Sequence, residues 1–278
     1  MFLWYNLQQI DGVFLRFKGD IYMVICFDAG NTDLVCGLFC ADNLTKTMRF
    51  GYKKGADKAE YLQLIRENLL DSGVDTSKID GCVLCCVAPN TAQNLSAAMA
   101  ELFGCAPVIF KNDSTCRLNI LTEDPAEVGT DIIASCMAAT EIYPMPCVVV
   151  DMGTATTLTA MDKDANVLGV SIITGVYTSM TALEEKTGLT FKKDLTSQPK
   201  AIGTNTQKSI DSGLILGSAY AVDGLIDAIE AEIGQGRCSV VATGGISGFI
   251  IPHCKKDITL NSNLLLQGLY CYYKNSII

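Results

Sequence analysis

Residues 23–39 read MVICFDAGNTDLVCGLF. An unbroken apolar run, Met23 to Phe27, ends on an acid, Asp28. Gly30, Asn31 and Thr32 then form a tight polar turn, and β-type residues resume at Leu34. A short apolar run bounded by turn residues is the pattern of a strand buried on both faces. Glycine in the turn lets backbone amides approach an anion, and the threonine hydroxyl adds a donor. A carboxylate beside such a turn repels phosphate unless a cation lies between them, so Asp28 suits Mg²⁺ or another hard cation. Asp-x-Gly-x-Thr is also an ordinary turn closed by an Asx hydrogen bond, so the motif gains weight from its companions.

There are two companions. Residues 147–162, CVVVDMGTATTLTAMD, repeat the order of apolar strand, acid (Asp151), Gly153, Thr154 and a further strand. Residues 238–245 again form an apolar strand, delivering Thr243, Gly244 and Gly245 to its end. The likeness of the first two hairpins predicts two related halves, residues 23–142 and 143–278, each opening on a phosphate-facing hairpin. The chain contains neither G-x-x-x-x-G-K-[ST] nor G-x-G-x-x-G, which argues against a P-loop kinase and a dinucleotide fold.

Between the hairpins the order is mixed α/β. Residues 45–52 read as a third strand. Residues 56–73 carry helical spacing through Tyr61, Leu62, Ile65 and Leu69, and the pattern ends at Gly73. A strand over 79–89, a helix over 91–104 and a strand over 106–110 come next. After the second hairpin, residues 165–173 predict a strand. Residues 204–234 predict a long helix with Ile210, Leu214, Ala221, Leu225 and Ile229 on one face. Gly213 and Gly217 within it cost roughly 1 kcal/mol each relative to alanine, which close packing of another backbone would offset. Residues 261–274 predict a closing helix.

A net charge of −9, with acids spread along the chain, argues against nucleic acid or an anionic membrane as the main partner. It leaves nucleotides open, since backbone amides and cations hold phosphates in acidic proteins. Cys82 and Cys85 have the spacing of half a zinc site, but no second spaced pair follows and His253 is the single histidine among thirteen cysteines. The reading adopted is reduced cysteine acting as a small hydrophobe in a strand, in a reducing cytoplasm. Residues 1–22 lack a signal-peptide pattern and are too short and polar for a membrane span. They are expected to be an extension or leader outside a core that begins at Met23, or a small extra element packed on it.

The combination of turns resembles the superfamily of actin, sugar kinases and acetate kinases. Within it, the succession DAGNTDLVCGLF (28–39), DPAEVGTDIIASCMAA (124–139), VVDMGTATTLTA (149–160), AIGTNTQKSIDSGLILGSAYAVDGLI (201–226) and VVATGGIS (240–247) resembles the type III pantothenate kinases. The resemblance runs from Met23 to the carboxyl terminus. It implies two related actin-like, ribonuclease H-like α/β domains, each a mixed sheet flanked by helices, with a nucleotide cleft between them. It implies ATP-dependent phosphorylation of pantothenate to 4′-phosphopantothenate, the first step of coenzyme A biosynthesis, by a cytoplasmic homodimer using Mg²⁺ and K⁺ or NH₄⁺.

Carried over by position, Asp28, Ala29, Gly30, Asn31, Thr32, Asp33, Leu34 and Val35 form the first nucleotide-binding turn, and Thr154 is a second phosphate contact. Gly244 and Gly245 join them as the third Gly-rich turn. Asp151 matches the monovalent-cation ligand, while Asp28 serves Mg²⁺. Asp131 matches the proton acceptor, within a substrate-binding stretch of Gly129, Thr130, Asp131 and Ile132, and Thr206 matches a further substrate contact. From the residues alone, Asp131 reads first as a carboxylate that merely caps the start of its helix, and only the family resemblance reverses that order.

Several positions depart from the family pattern. Ile132 stands where the family has arginine after the catalytic acid, Thr122 where it has tyrosine, Asp124 where it has asparagine, and Thr174 where a Pro-Gly pair begins. Pantothenate is a carboxylate, so losing that arginine removes a charge-assisted contact, for which Arg117 or Lys111 are the nearest substitutes in sequence. Two other readings fit these departures: a member that binds without catalysing and serves a regulatory or accessory role, and a kinase for another hydroxylated small molecule.

Overall fold

The protein is seen in a computed structural model describing residues 7–10, 13–16, 22–30, 33–86, 88–192, 194 and 198–277. The chain divides into two compact units. One comprises residues 1–117, 129–134 and 265–278; the other comprises residues 118–128 and 135–264.

In the first unit, β1 (Leu7–Ile10) and β2 (Val13–Arg16) pair antiparallel as a two-stranded sheet of their own. The main sheet has five strands. β3 (Met23–Ala29), β4 (Asp33–Cys40) and β5 (Asn43–Gly51) form an antiparallel meander. Helix α1 (Lys58–Asp71) begins on a capping box in which Asp57 and Glu60 satisfy each other's backbone amides. It buries Tyr61, Ile65 and Leu69, with Leu62 at the margin, on the face the spacing predicts. β6 (Gly81–Cys86) then joins β3 in parallel, α2 (Pro89–Phe103) ends on a left-handed Gly104, and β7 (Val108–Ile109) completes the order β5-β4-β3-β6-β7. Helix α3 (Thr130–Ile142) contributes its first turn to this unit and the remainder to the second.

The second unit repeats the plan. β8 (Cys147–Met152), β9 (Ala155–Met161) and β10 (Val167–Thr174) form the meander, and α4 (Val176–Thr187) follows. Then come α5 (Thr206–Asp211), α6 (Gly217–Ile233), β11 (Ser239–Thr243), the short α7 (Ser247–Ile250) and β12 (Thr259–Leu260). The sheet order is β10-β9-β8-β11-β12, with β11 parallel to β8 and β12. Each strand therefore has its counterpart at the same place in the other sheet, and these are two related α/β domains of the actin-like type.

The helical run 206–233 differs from its expected phase. A π-helical turn, Ser212–Leu216, joins α5 to α6. Its wider turn rotates the downstream helix, so Ile215, Ala219, Val222 and Ile226 enter the core, while Leu214, Leu225 and Ile229 pack at its margin. The run is long and apolar enough to cross a membrane by length and composition, but this stripe makes it the core helix of its sheet. A Cβ at Gly213 or Gly217 would meet no atom within 4 Å, so no described segment of this chain packs closely against either.

The last helix, α8 (Leu264–Ser276), returns from Leu265 onward to the first unit. Tyr270 stacks on Phe39 with centroids 4.3 Å apart, and its hydroxyl donates to Asp42 at 2.9 Å. Gly268 lies against the backbone of Ala134 so closely that a Cβ would collide with its carbonyl.

Candidate active site

In each sheet the acid is the penultimate residue of the central strand. Asp28 pairs with Val35 on β4 and Cys85 on β6, and Asp151 pairs with Thr157 on β9 and Thr243 on β11. In both, the glycine amide of the next turn donates to a carbonyl at the start of the following strand at 3.0 Å, Gly30 to Asp33 three residues on and Gly153 to Ala155 two residues on. The sequence repeat is thus a repeat of position.

Around the first turn, Asn31 and Thr32 lie outside the described residues. Ala29 and Leu34 turn their side chains into the core, which leaves backbone groups as their means of touching a ligand. Asp28 and Val35 are half-buried. Asp33 pairs with Arg49 at 3.1 Å on the surface. The Tyr52 hydroxyl, just beyond β5, donates to the Gly30 carbonyl at 2.7 Å. Burial first, then the neighbouring Cys86, Tyr61 and Asp28, push the Tyr52 phenol up to about 12.

The stretch from Gly129 to Ile132 lies in the same unit. Gly129 accepts the Ile133 amide and opens α3, with Thr130 and Asp131 as its first residues. Asp131 is exposed, and its Oδ1 accepts the Ile132 amide at 2.9 Å. That oxygen lies over Gly129, where a Cβ would collide with it, so glycine is needed there to make room for the carboxylate. Ile132 is half-buried. Thr130 is joined to β6 through Cys85, whose Sγ lies 3.6 Å from Thr130 Oγ1. Burial first, then Asp28 and to a lesser degree Asp131, push the Cys85 thiol above its ordinary range. Cys85 thus stands beside Asp28 in the ladder and touches Thr130, the residue before Asp131, although in the sequence it reads as a core residue.

In the second unit, Gly244 adopts φ +92°, and a Cβ there would sit 2.5 Å from the Met152 carbonyl and 2.6 Å from Asp151 Oδ1. This is a cradle of oxygen atoms that only glycine leaves open. Thr154 is exposed, and its carbonyl accepts both the Gly175 amide at 3.1 Å and the Thr178 hydroxyl at 2.7 Å. A Cβ on Gly175 would collide with the carbonyls of Gly153 and Thr154, so this glycine remains although Thr174 has replaced the preceding proline. Gly245 is exposed. Thr206 stands exposed at the start of α5, whose N-cap Asn205 accepts the Lys208 amide at 2.9 Å.

The departures have local roles. Asp124 caps a short 3₁₀ turn by accepting the Ala126 amide at 2.9 Å. Thr122 Oγ1 is one of two buried side-chain oxygens without a hydrogen-bond partner among the described residues, the other being Ser135 Oγ. Lys111 and Arg117 are exposed, Arg117 in a left-handed conformation with φ +52°.

Among the described residues, no group of three or more His, Cys, Asp or Glu side chains could hold a metal ion. A single carboxylate at each turn fits Mg²⁺ held mainly by phosphates and water rather than by a protein cage. Cys82 and Cys85, three apart on β6, point to opposite faces of the strand and do not form half of a zinc site.

The sequence profile of the type III pantothenate kinases matches residues 24–228. This chain belongs to that family. A type III pantothenate kinase of Roseiflexus castenholzii is 34% identical over 253 residues, covering 91% of this chain and 98% of the relative. One from Dehalococcoides mccartyi is 31% identical over 255 residues, covering 91% and 97%. Solved structures share the fold at lower identity. A Campylobacter jejuni protein described as a Baf family transcriptional activator superposes with TM-score 0.55 at 16% identity, covering 91% of this pantothenate kinase family member and 98% of that chain. The ROK hexokinase of Thermus thermophilus gives 0.51 at 12% identity, covering 91% and 99%.

Proposed function

We propose that this chain transfers the γ-phosphoryl group of ATP to the primary hydroxyl of pantothenate, giving 4′-phosphopantothenate and ADP at the entry to coenzyme A biosynthesis. The observation that carries the reading is the exposed Asp131 carboxylate at the first turn of α3, in the same unit as the Asp28 turn and next to Thr130, whose hydroxyl meets Cys85, the ladder partner of Asp28. Asp131 takes the proton as the hydroxyl oxygen attacks phosphorus, and the bond from phosphorus to the bridging oxygen of ADP breaks in line. Phosphoryl transfer has a loose transition state, so positioning and charge stabilisation matter more than a strong base.

The backbone from Asp28 to Val35, with Thr154, Gly244 and Gly245, holds the nucleotide. Gly129, Thr130, Ile132 and Thr206 hold the substrate. Asp28 would hold Mg²⁺, and Asp151, with the oxygen cradle beside Gly244, would hold K⁺ or NH₄⁺; these cations offset the phosphate charge when bound. We further place the enzyme in the cytoplasm as a homodimer. Ile172, Tyr177, Ile202 and Tyr220, left exposed on the second unit, are the apolar side chains available there to such a contact.

The test is turnover with ATP, Mg²⁺ and K⁺ or NH₄⁺, with 4′-phosphopantothenate identified by mass spectrometry. Absence of product with every cation would sink the reading. Asp131→Asn should lose about a hundredfold or more in kcat while still binding ATP. The partnerless Thr122 Oγ1, at a family substrate position, favours a second reading in which another hydroxylated small molecule is the acceptor. A phosphate-transfer screen that finds only pantothenate eliminates it.

A further inference from the structure

We propose that Cys85 is a positioning residue of this site, holding the first turn of α3, and with it Asp131, through a thiol-to-hydroxyl hydrogen bond to Thr130. The inference rests on the reading of Asp131 as proton acceptor.

Cys85 is the penultimate residue of β6, directly across the parallel ladder from Asp28. It is buried, and its Sγ lies 3.6 Å from Thr130 Oγ1, within reach of a sulfur hydrogen bond. Thr130 opens α3 and Asp131 follows it, so a tether at Thr130 fixes the turn that presents the carboxylate. Backbone bonding supports the same turn from the other side, through the Ile133 amide to the Gly129 carbonyl at 3.0 Å. Cys85 is thus a cross-link between the strand beside Asp28 and the helix bearing Asp131.

The chemistry of a thiol suits this place. A charged tether here would perturb the carboxylates of Asp28 and Asp131, whereas a thiol supplies a hydrogen-bond donor that carries no charge. A Thr130 hydroxyl that accepts from Cys85 must send its own proton elsewhere, so the same bond orients Thr130 as a donor within the substrate stretch.

The experiment compares full-length wild type, Cys85→Ala, Cys85→Ser and Asp131→Asn. Cys85→Ala is expected to lower kcat by about tenfold, since small misplacements of reacting groups are costly, with the KM for ATP within about twofold of wild type. Cys85→Ser retains a donor and is expected to recover most of that loss. In the substrate-free proteins, amide hydrogen exchange at Asp131 and Ile132 is expected to quicken in Cys85→Ala and return towards wild type in Cys85→Ser. This second readout needs no turnover. A Cys85→Ala variant with wild-type kcat and exchange overturns the positioning role, as does a serine variant no better than alanine in both. Full activity in Asp131→Asn overturns instead the base reading beneath it, so the two failures are told apart.

Discussion

The Tyr52 hydroxyl donates a 2.7 Å hydrogen bond to the carbonyl of Gly30, tying the end of β5 to the glycine turn after β3. Tyr52→Phe removes the donor and leaves the carbonyl to water. The expected loss is about 1 kcal/mol, read as a roughly fivefold rise in the KM for ATP with a smaller change in kcat. The bond has a definite pH window. The Tyr52 phenol is raised to about 12 in the folded protein, so its contribution to stability is complete below the ordinary tyrosine pKa near 10 and disappears as pH rises towards 12. Denaturant midpoints of wild type and Tyr52→Phe should therefore differ at pH 8 and converge as pH climbs through that window.

Much of this arrangement is legible in the sequence because its signals are local. Asp28 and Asp151 each end an apolar run before a glycine turn, and the sheets place both at the same position of the ladder. Asp131 reads as a helix-start carboxylate, and α3 begins at Thr130. Three features escape local reading. The return of α8 to the first unit depends on contacts such as Tyr270 with Phe39, which lie more than two hundred residues apart and leave no periodic trace. The π turn at Ser212–Leu216 breaks the 3.6-residue phase assumed for residues 204–234. Cys85 looks like any apolar strand residue, and its bond to Thr130 exists only once β6 and α3 meet.

Gly244 is held at φ +92° with the Met152 carbonyl and Asp151 Oδ1 where a side chain would go. Gly244→Ala must strain the backbone and displace those oxygens. The combined cost is about 2–4 kcal/mol, from left-handed strain and overpacking together. Urea denaturation should show a correspondingly lower midpoint. Because the displaced oxygens form the proposed cation cradle, activation by K⁺ or NH₄⁺ should also vanish in the variant that remains folded. Gly245→Ala, where a Cβ meets nothing within 4 Å, should leave stability close to wild type and serves as the control.

The cysteines should differ sharply in reactivity, because the thiolate is the nucleophile. Burial raises Cys36 to about 12 and Cys147 to about 11, and holds Cys26 and Cys136 well above their ordinary range. Half-buried Cys105 differs from these: the hydrogen bond it shares with Cys82, with sulfurs 3.8 Å apart, lowers its pKa. Brief iodoacetamide treatment at pH 8, read by peptide mass spectrometry, should label Cys105 first. Cys26, Cys36, Cys136 and Cys147 should label at least about a hundredfold more slowly until the protein unfolds. Equal labelling of all sites would contradict the burial described.

Ile132 follows the Asp131 carboxylate on α3, and its half-buried side chain borders Gly129. The family pattern has arginine here, and pantothenate carries a carboxylate. A hydrogen bond between charged partners is worth about 1.5–3 kcal/mol, which converts to roughly ten- to a hundredfold in binding. Ile132→Arg should therefore lower the KM for pantothenate by at least about tenfold while leaving the KM for ATP within about twofold. Isoleucine here is not fully enclosed, so the variant should keep its thermal stability. An unchanged pantothenate KM in a folded variant would mean that another group already meets the substrate carboxylate. Lys111→Ala and Arg117→Ala then identify it, since the responsible residue is the one whose removal raises that KM about tenfold or more.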